Sequence, residues 1–318
     1  MTPFTPRATP ALGPGSEFDR IRAIWQRLGP HAAEVGDDAA IVHVGGEQLA
    51  LSCDMAIEGR HFRLDWLHPA ELGWRIGASA ISDLAAVAAE PIGMLVSVGV
   101  PRRLAVEFLP ELMAGVGRSA AHTGAVVWGG DLVQSDAVVV DVMVAGRVAR
   151  PVLRSGALPG DALWVTGRLG GPHEAVAAWL AGREPHAEAR ARYAKPLPRV
   201  REALWLRDHG ATALIDVSDG LTGDAGHLAA ASGVALAIAA ESVPRLPGVE
   251  HWESALVGGE EYELLATLPP AFGDEDAGAF AARFALPLTR IGDAAAGQGV
   301  RVTRGGQPVE LPDAFSHF

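Results

Sequence analysis

The sequence predicts an α+β fold in two halves, each mixing strands with helices. Three observations carry this expectation. Short apolar segments of strand length alternate along the chain with longer stretches whose apolar residues recur at helical spacing. A stretch bearing Pro and Gly, 151–159 (PVLRSGALP), interrupts the alternation near the middle and reads as a crossing between halves. The 318 residues, 49% of them hydrophobic, suffice for two cores. The expected units are a loose arm at 1–16, a first domain at 17–150 and a second at 151–318.

The arm is Pro-rich and lacks the apolar core of a secretory signal. Residues 17–28 carry Phe18, Ile21, Ile24, Trp25 and Leu28 at helical spacing and read as an amphipathic helix. Segments 40–44 and 48–52 read as strands of a hairpin, because Gly45-Gly46 between them suits a primed turn. A helical pattern opens at Pro69 and ends at Pro91. A buried strand at 93–100 and a helix at 106–122 follow. A short strand at 124–128 ends in Gly129-Gly130-Asp131, and 138–148 is the last strand of this half. Beyond the crossing, strands are expected at 161–166, 213–217, 235–239, 262–268 and 288–291. Helices are expected at 172–180, 200–209, about 222–231 and 271–284, with a short one near Trp252. Segment 190–199 is Arg-rich and carries Pro196 and Pro198.

Composition narrows the function. A net charge of −12 argues against nucleic acid or an anionic membrane as the main partner. A phosphate substrate would then need cations to screen it. Cys53 is the single cysteine, so neither an internal disulfide nor a multi-cysteine metal cage is possible. No apolar run approaches the ~20 residues of a membrane helix, and a cytoplasmic protein is the default expectation. Lys195 is the single lysine and lies outside any GxxxxGK[ST] loop, and the HRD and DFG sequences of protein kinases are missing.

Acids carry the chemistry. The hairpin should bring Asp37 and Asp38, before its first strand, beside Asp54, after its second. Three carboxylates at one sheet end repel one another unless a cation or proton sits among them. Asp83 lies among Ala, Ile and Leu neighbours, where a charge is costly unless paired. Asp131 follows two glycines that would let a ligand approach the backbone. Asp216 and Asp219 lie in ALIDVSDGL, where a strand runs into a helix start, and Ser218 and Asp219 also suit helix caps there. An oxygen-rich set of this kind suits Mg²⁺. Arg154 offers a guanidinium fork for phosphate, or a surface cation at the crossing. The sequence VGGEEYELL sets two acids after Gly-Gly, able to meet a cationic substrate or to cap a strand. Phe315 in the C-terminal PDAFSHF could stack on a flat ring or pack in a core.

Eight motifs in order, GDDAA, SCDM with His61-Phe62 beyond it, ISDLAAVAAEP, WGGDL, LRSGALPGD, IDVSDGL, GGEEYEL and AFSHF, resemble those of the thiamine-monophosphate kinase family. The wider superfamily includes aminoimidazole ribonucleotide synthetase and selenophosphate synthetase. The resemblance implies a two-domain PurM-like fold, with an N-terminal α/β sheet domain that pairs in a homodimer and a C-terminal α/β sandwich. It implies transfer of the ATP γ-phosphoryl group to thiamine monophosphate, in line and without a phospho-enzyme. By motif, Asp38, Ser52, Cys53, Asp54, Asp83, Asp131, Asp216 and Asp219 are the expected Mg²⁺ positions. Gly130, Asp131, Arg154 and Ser218 would touch ATP, and His61, Glu260 and Phe315 would contact thiamine monophosphate. The chain departs from the family pattern at Cys53 (usually Thr), Ala80 (often Asn), Leu132 in the LVQS loop and Glu261 (usually Asp). A soft thiol is a poor Mg²⁺ ligand, so Cys53 is expected to offer its backbone carbonyl. The rivals are another ATP-dependent synthetase of the superfamily and a homologue that binds metal or nucleotide without turnover.

Overall fold

The computed structural model describes residues 12–13, 15–32, 36–104 and 106–311. Most of the expected arm and the tail containing Phe315 lie outside these residues. A helix α1 (Ser16–Leu28) precedes a five-stranded sheet of β1 (Ala40–Val44), β2 (Glu47–Ile57), β3 (Glu90–Val100), β4 (Val126–Gln134) and β5 (Val139–Arg147). Its order is β1-β2-β5-β3-β4, with β3 and β4 parallel and every other pair antiparallel. Gly45 and Gly46 join β1 to β2 with φ of 57° and 92°, the positive pair that a primed turn demands.

One face of this sheet buries Val96, Val98, Val140, Val142 and Val144 beneath α2 (Pro69–Ala86) and α3 (Phe108–His122). The two helices approach at backbone contact: a Cβ at Gly73 would stand 1.8 Å from the Leu112 carbonyl oxygen. The opposite face is open. Met55, Leu95 and Trp128 are exposed there, and β4 is exposed along nearly its whole length.

The second half is built from β6 (Ala162–Thr166), α4 (Gly171–Leu180), α5 (Ala187–Ala194), α6 (Val200–Asp208), β7 (Ala213–Asp216), α7 (Leu221–Ser232) and β8 (Val234–Ala239). It continues through α8 (Ser254–Val257), β9 (Leu264–Leu268), α9 (Asp274–Phe284), β10 (Leu288–Ala296), β11 (Gly299–Arg304) and β12 (Gln307–Pro308). Its strands form one seven-stranded sheet, β12-β11-β8-β10-β6-β9-β7. Strands β6, β7 and β9 are buried on both faces. Trp164, Leu214 and Leu264 join the large core that continues under α2, while Leu163, Val165, Ile215 and Leu265 face the other way, onto the core around α7.

Several element bounds differ from expectation. Asp54 lies inside β2, which runs on to Ile57 because β5 pairs with it along that whole length. Asp131 likewise lies within β4 rather than at a strand end. Gly129 and Gly130, with positive φ of 150° and 158°, pair with Leu95 and Val96, while Trp128 is bulged out of the ladder. Part of the Arg-rich 190–199 segment is helical as the end of α5, and β11 and β12 extend the second sheet beyond the last expected strand.

Candidate active site

The centre of the site is one stripe of α2. Residues 75, 79, 82 and 83 stand at helical spacing on one face of a helix that is otherwise small and apolar, and each carries a polar group. Ser79 Oγ donates to Asp54 Oδ2 on β2 at 2.7 Å, and Ser82 Oγ donates to Asp216 Oδ2 at the end of β7 at 2.5 Å. Asp83 Oδ2 accepts from Ser52 Oγ on β2 at 2.6 Å. Arg75 pairs with Glu260, beyond α8. The same helix therefore touches the acids of both sheets.

Asp38, Asp83 and Asp216 each place an oxygen within 4.8 Å of the others. Burial, then the charges of Asp216, Asp54 and Asp38, push the Asp83 carboxyl well up. Burial and Asp38 together raise Asp216 to about 7, against the lowering hydrogen bond from Ser82. Carboxylates held this close resist sharing their charge, and hard oxygen donors of this kind fit a Mg²⁺ ion. Asp37 stands apart from the cluster, with Oδ1 accepting from Asp38 N and Oδ2 from Arg154 N, and burial raises it to about 7.

Arg154 reaches back from the crossing between the sheets. Its Nε and Nη2 close a two-point fork on Asp38 at 2.9 and 2.6 Å, so this guanidinium is engaged by a carboxylate. Ser218 and Asp219 sit on the turn between β7 and α7. Asp224 on α7 holds that turn: its Oδ2 accepts from the backbone N–H of Ser218, Asp219 and Gly220 at 3.1, 3.2 and 3.1 Å. Asp219, Asp224 and His227 form a second group with ligand atoms within 4.8 Å of one another.

A cavity of about 1380 Å³ opens over these residues. Asp54, Asp83, Ser218, Asp219, His61 and Glu260 all line it, with Trp66, Tyr193 and Tyr262 as aromatic walls. The His61 ring accepts from Ile57 N through Nδ1 at 3.0 Å, and its carbonyl accepts from Tyr193 Oη at 3.1 Å. Glu260 and Tyr262 hold φ of 65° and 52°, left-handed conformations that cost residues with a Cβ on the order of 1–3 kcal/mol each. Their backbone N–H groups donate to Ser218 O at 2.6 Å and Val217 O at 2.8 Å, binding this turn to the one after β7.

Asp131 and Gly130 are not brought to the Asp38–Asp83–Asp216 group. Asp131 stands on the exposed strand β4, level with Asp141 and Met55 across the sheet, and its Oδ1 accepts from Leu132 N at 2.9 Å. Cys53 is exposed on β2. Partial burial, then the charges of Asp141, Asp83 and Asp54, push its thiol up.

Known proteins resemble this chain along most of its length. Residues 36–148 match the family AIR synthase related protein, N-terminal domain, and 159–305 match AIR synthase related protein, C-terminal domain. A thiamine-monophosphate kinase of Mycobacterium tuberculosis (strain CDC 1551 / Oshkosh) is 38% identical over 251 residues, 75% of this chain and 74% of the relative. The chain belongs to the thiamine-monophosphate kinase family. A thiamine-monophosphate kinase of Aquifex aeolicus (strain VF5) is 32% identical over 315 residues, 95% of this chain and 98% of the relative. A solved structure, AaThiL complexed with AMPPCP and TMP, superposes with a TM-score of 0.84 at 31% identity, covering 95% of this chain and 97% of that one.

Against the thiamine-monophosphate kinase pattern, Glu261 is the departure whose setting is most unusual. It is fully buried, accepts from Gly170 N, and leaves Oε2 without a partner among the described residues. Burial pushes it to about 8 in spite of Arg192. Sequence reading missed Arg75, Asp224, Ser79, Ser82 and the aromatic walls. The signal for Arg75 was present, a lone charge in the apolar WRIGASAI, and it is the same signal that marked Asp83.

Proposed function

We propose that the protein transfers the γ-phosphoryl group of ATP to the phosphate of thiamine monophosphate, giving thiamine diphosphate and ADP by direct in-line transfer. The observation that carries this reading is that Asp83, one of the Asp38–Asp83–Asp216 group, lines one cavity with Asp54, Asp219 and the candidate acceptor contacts His61 and Glu260. Phosphoryl transfer asks for positioning and charge neutralisation more than for covalent chemistry, and this chain has no P-loop lysine to provide them. Mg²⁺, when bound, supplies neutralisation of the phosphate charges and alignment of the reacting oxygens. Asp38, Asp83 and Asp216 would hold it, with Asp54, Asp131, Asp219, Ser52 and the Cys53 carbonyl as further positions.

The remaining roles belong to the chain itself. Asp224 fixes the Ser218–Asp219 turn against which ATP would lie. Arg154 and Gly130 are further ATP contacts, and release of the Arg154 fork from Asp38 would free a two-point phosphate donor. Glu260 would accept from the aminopyrimidine or face the thiazolium, with aromatic walls beside it. ATP use fits a cytoplasmic location, and among the described residues no helix is long and apolar enough to cross a membrane. The open sheet face, with Met55, Leu95 and Trp128 exposed, and the exposed edge strand β4 support a homodimer that pairs these sheets.

The test is ADP release with Mg²⁺ and ATP in the presence of thiamine monophosphate, of thiamine, or of neither. Turnover with the monophosphate alone, lost in Asp83→Asn, is expected. Equal ADP release without acceptor, or with thiamine, overturns the reading.

A further inference from the structure

Arg75 is the one cation on the polar stripe of α2, and it is 4% exposed. Its Nη1 donates to the Tyr193 carbonyl at 2.6 Å, and its guanidinium lies over the Tyr193 ring, 3.8 Å from the centroid. Its Nη2 donates to Oε2 of Glu260. Three contacts thus hold one planar group whose two ends face different partners. Glu260 in turn is pinned at its backbone by the hydrogen bond to Ser218 O and by its left-handed φ. What the backbone leaves free is the side chain, and Arg75 takes up that freedom.

The consequence is a carboxylate with two unlike oxygens. Oε2 is occupied by Arg75, while Oε1 accepts no hydrogen bond from another described residue. Glu260 lines the cavity with its side chain 30% exposed. A ligand therefore meets one fixed acceptor oxygen, suited to an amino group on a flat ring or to a ring cation. We propose that Arg75 is the positioning residue that sets the Glu260 carboxylate for recognition of the phosphoryl acceptor. The inference rests on the thiamine monophosphate reading above and adds to it a specificity device. Arg75 belongs to the helix that carries Asp83, so acceptor recognition and the acid cluster share one rigid element. A lysine could not replace it in full, because a single ammonium on a flexible stem lacks the fork that reaches Tyr193 and Glu260 together.

Steady-state kinetics on the full chain test this. In Arg75→Gln the KM for thiamine monophosphate should rise about tenfold or more, the loss expected for a charge-assisted hydrogen bond. The KM for Mg·ATP should stay within about twofold, and Arg75→Lys should recover part of the loss. On a Glu260→Gln background the Arg75→Gln change should add little, since both act through one contact. An unchanged KM for the acceptor, a parallel rise in both KM values with a lowered melting temperature, or additive effects in the double variant overturns the proposal. If Arg75→Gln does not fold, Arg75→Lys with and without Glu260→Gln makes the same comparison. Failure of the substrate reading is separate: the wild-type chain itself would then release no ADP with thiamine monophosphate.

Discussion

Replacing Asp216 by Asn should stabilise the metal-free protein and at the same time remove its response to Mg²⁺. Asp216 is 2% exposed and shares a 4.8 Å group with Asp38 and Asp83. Burial and the Asp38 charge raise its carboxyl from 3.8 to about 7. A folded-state value above the unfolded one means that folding favours the protonated form. Its favourable contribution is complete below about pH 3.8 and is lost as pH rises through about 7. That displacement corresponds to on the order of 4 kcal/mol of lost stability at pH 8. Asparagine cannot ionise, and its Oδ1 can still accept from Ser82 Oγ, so most of the penalty disappears with little change of shape. Urea unfolding in chelator at pH 8 should show the variant more stable than wild type by about 2–4 kcal/mol, with a smaller gap at pH 6. Added Mg²⁺ should stabilise wild type by mass action and leave the variant nearly unmoved, with activity lost. A variant less stable than wild type in chelator at pH 8, or one that Mg²⁺ stabilises equally, refutes the reasoning.

Three further outcomes follow from the packing. Glu263 is fully buried and held by Arg199, Arg192 and Thr166; burial raises its carboxyl, the two guanidinium groups reverse this, and it lies at about 2. Its contribution is therefore present above about pH 4.5 and lost as pH falls toward 2. Glu263→Gln should cost about 3–5 kcal/mol near neutrality, with the gap to wild type closing in acid urea titrations. In Gly130→Ala the new Cβ would stand 1.7 Å from the Val96 carbonyl oxygen, so β4 must shift; a loss above about 2 kcal/mol is expected in thermal unfolding. In the proposed sheet-paired homodimer, Trp128→Glu, at a side chain 51% exposed on the open sheet face, should halve the apparent mass in size-exclusion chromatography while the melting profile of the chain stays cooperative.

The readability of the chain varied with the kind of signal each segment carries. The hairpin and α2 were legible because Gly45-Gly46 can satisfy a turn few residues allow, and Pro69 opens a long helical pattern. The placement of Asp54 and Asp131 was misread for one reason: Asp and Gly usually end strands, yet partner strands on β2 and β4 extend the ladder through them. The helix α5 buries only Ala189, Tyr193 and Ala194, so its sequence has no apolar stripe to announce it. Asp224 lies inside an Ala- and Gly-rich helix and acts on a turn before that helix, an arrangement that no residue spacing reveals. Strands β11 and β12 are short and largely exposed, and β11, on which β12 folds back, joins the sheet through β8, some sixty residues earlier in sequence.

What makes the acid cluster workable is the seating of α2. Holding Asp38, Asp83 and Asp216 together is unfavourable in itself, as the raised Asp83 and Asp216 carboxyls record. The hydroxyls of Ser52 and Ser82 offset part of that cost, and Ser79 steadies Asp54, through hydrogen bonds of 2.5–2.7 Å. Such bonds tolerate little movement, and a slip of α2 by one residue would turn its face by about 100° and break them all. Side-chain packing alone would permit sliding, whereas Gly73, Gly77 and Gly115 bring the backbones of α2 and α3 into direct contact and fix both depth and rotation. Trp74 Nε1 on Pro196 O at 2.9 Å and Arg75 on Tyr193 O fasten the same helix to the second half. The small residues of α2 are thus as much a part of the site as its acids: they give the helix one allowed position, and that position is where the carboxylates meet.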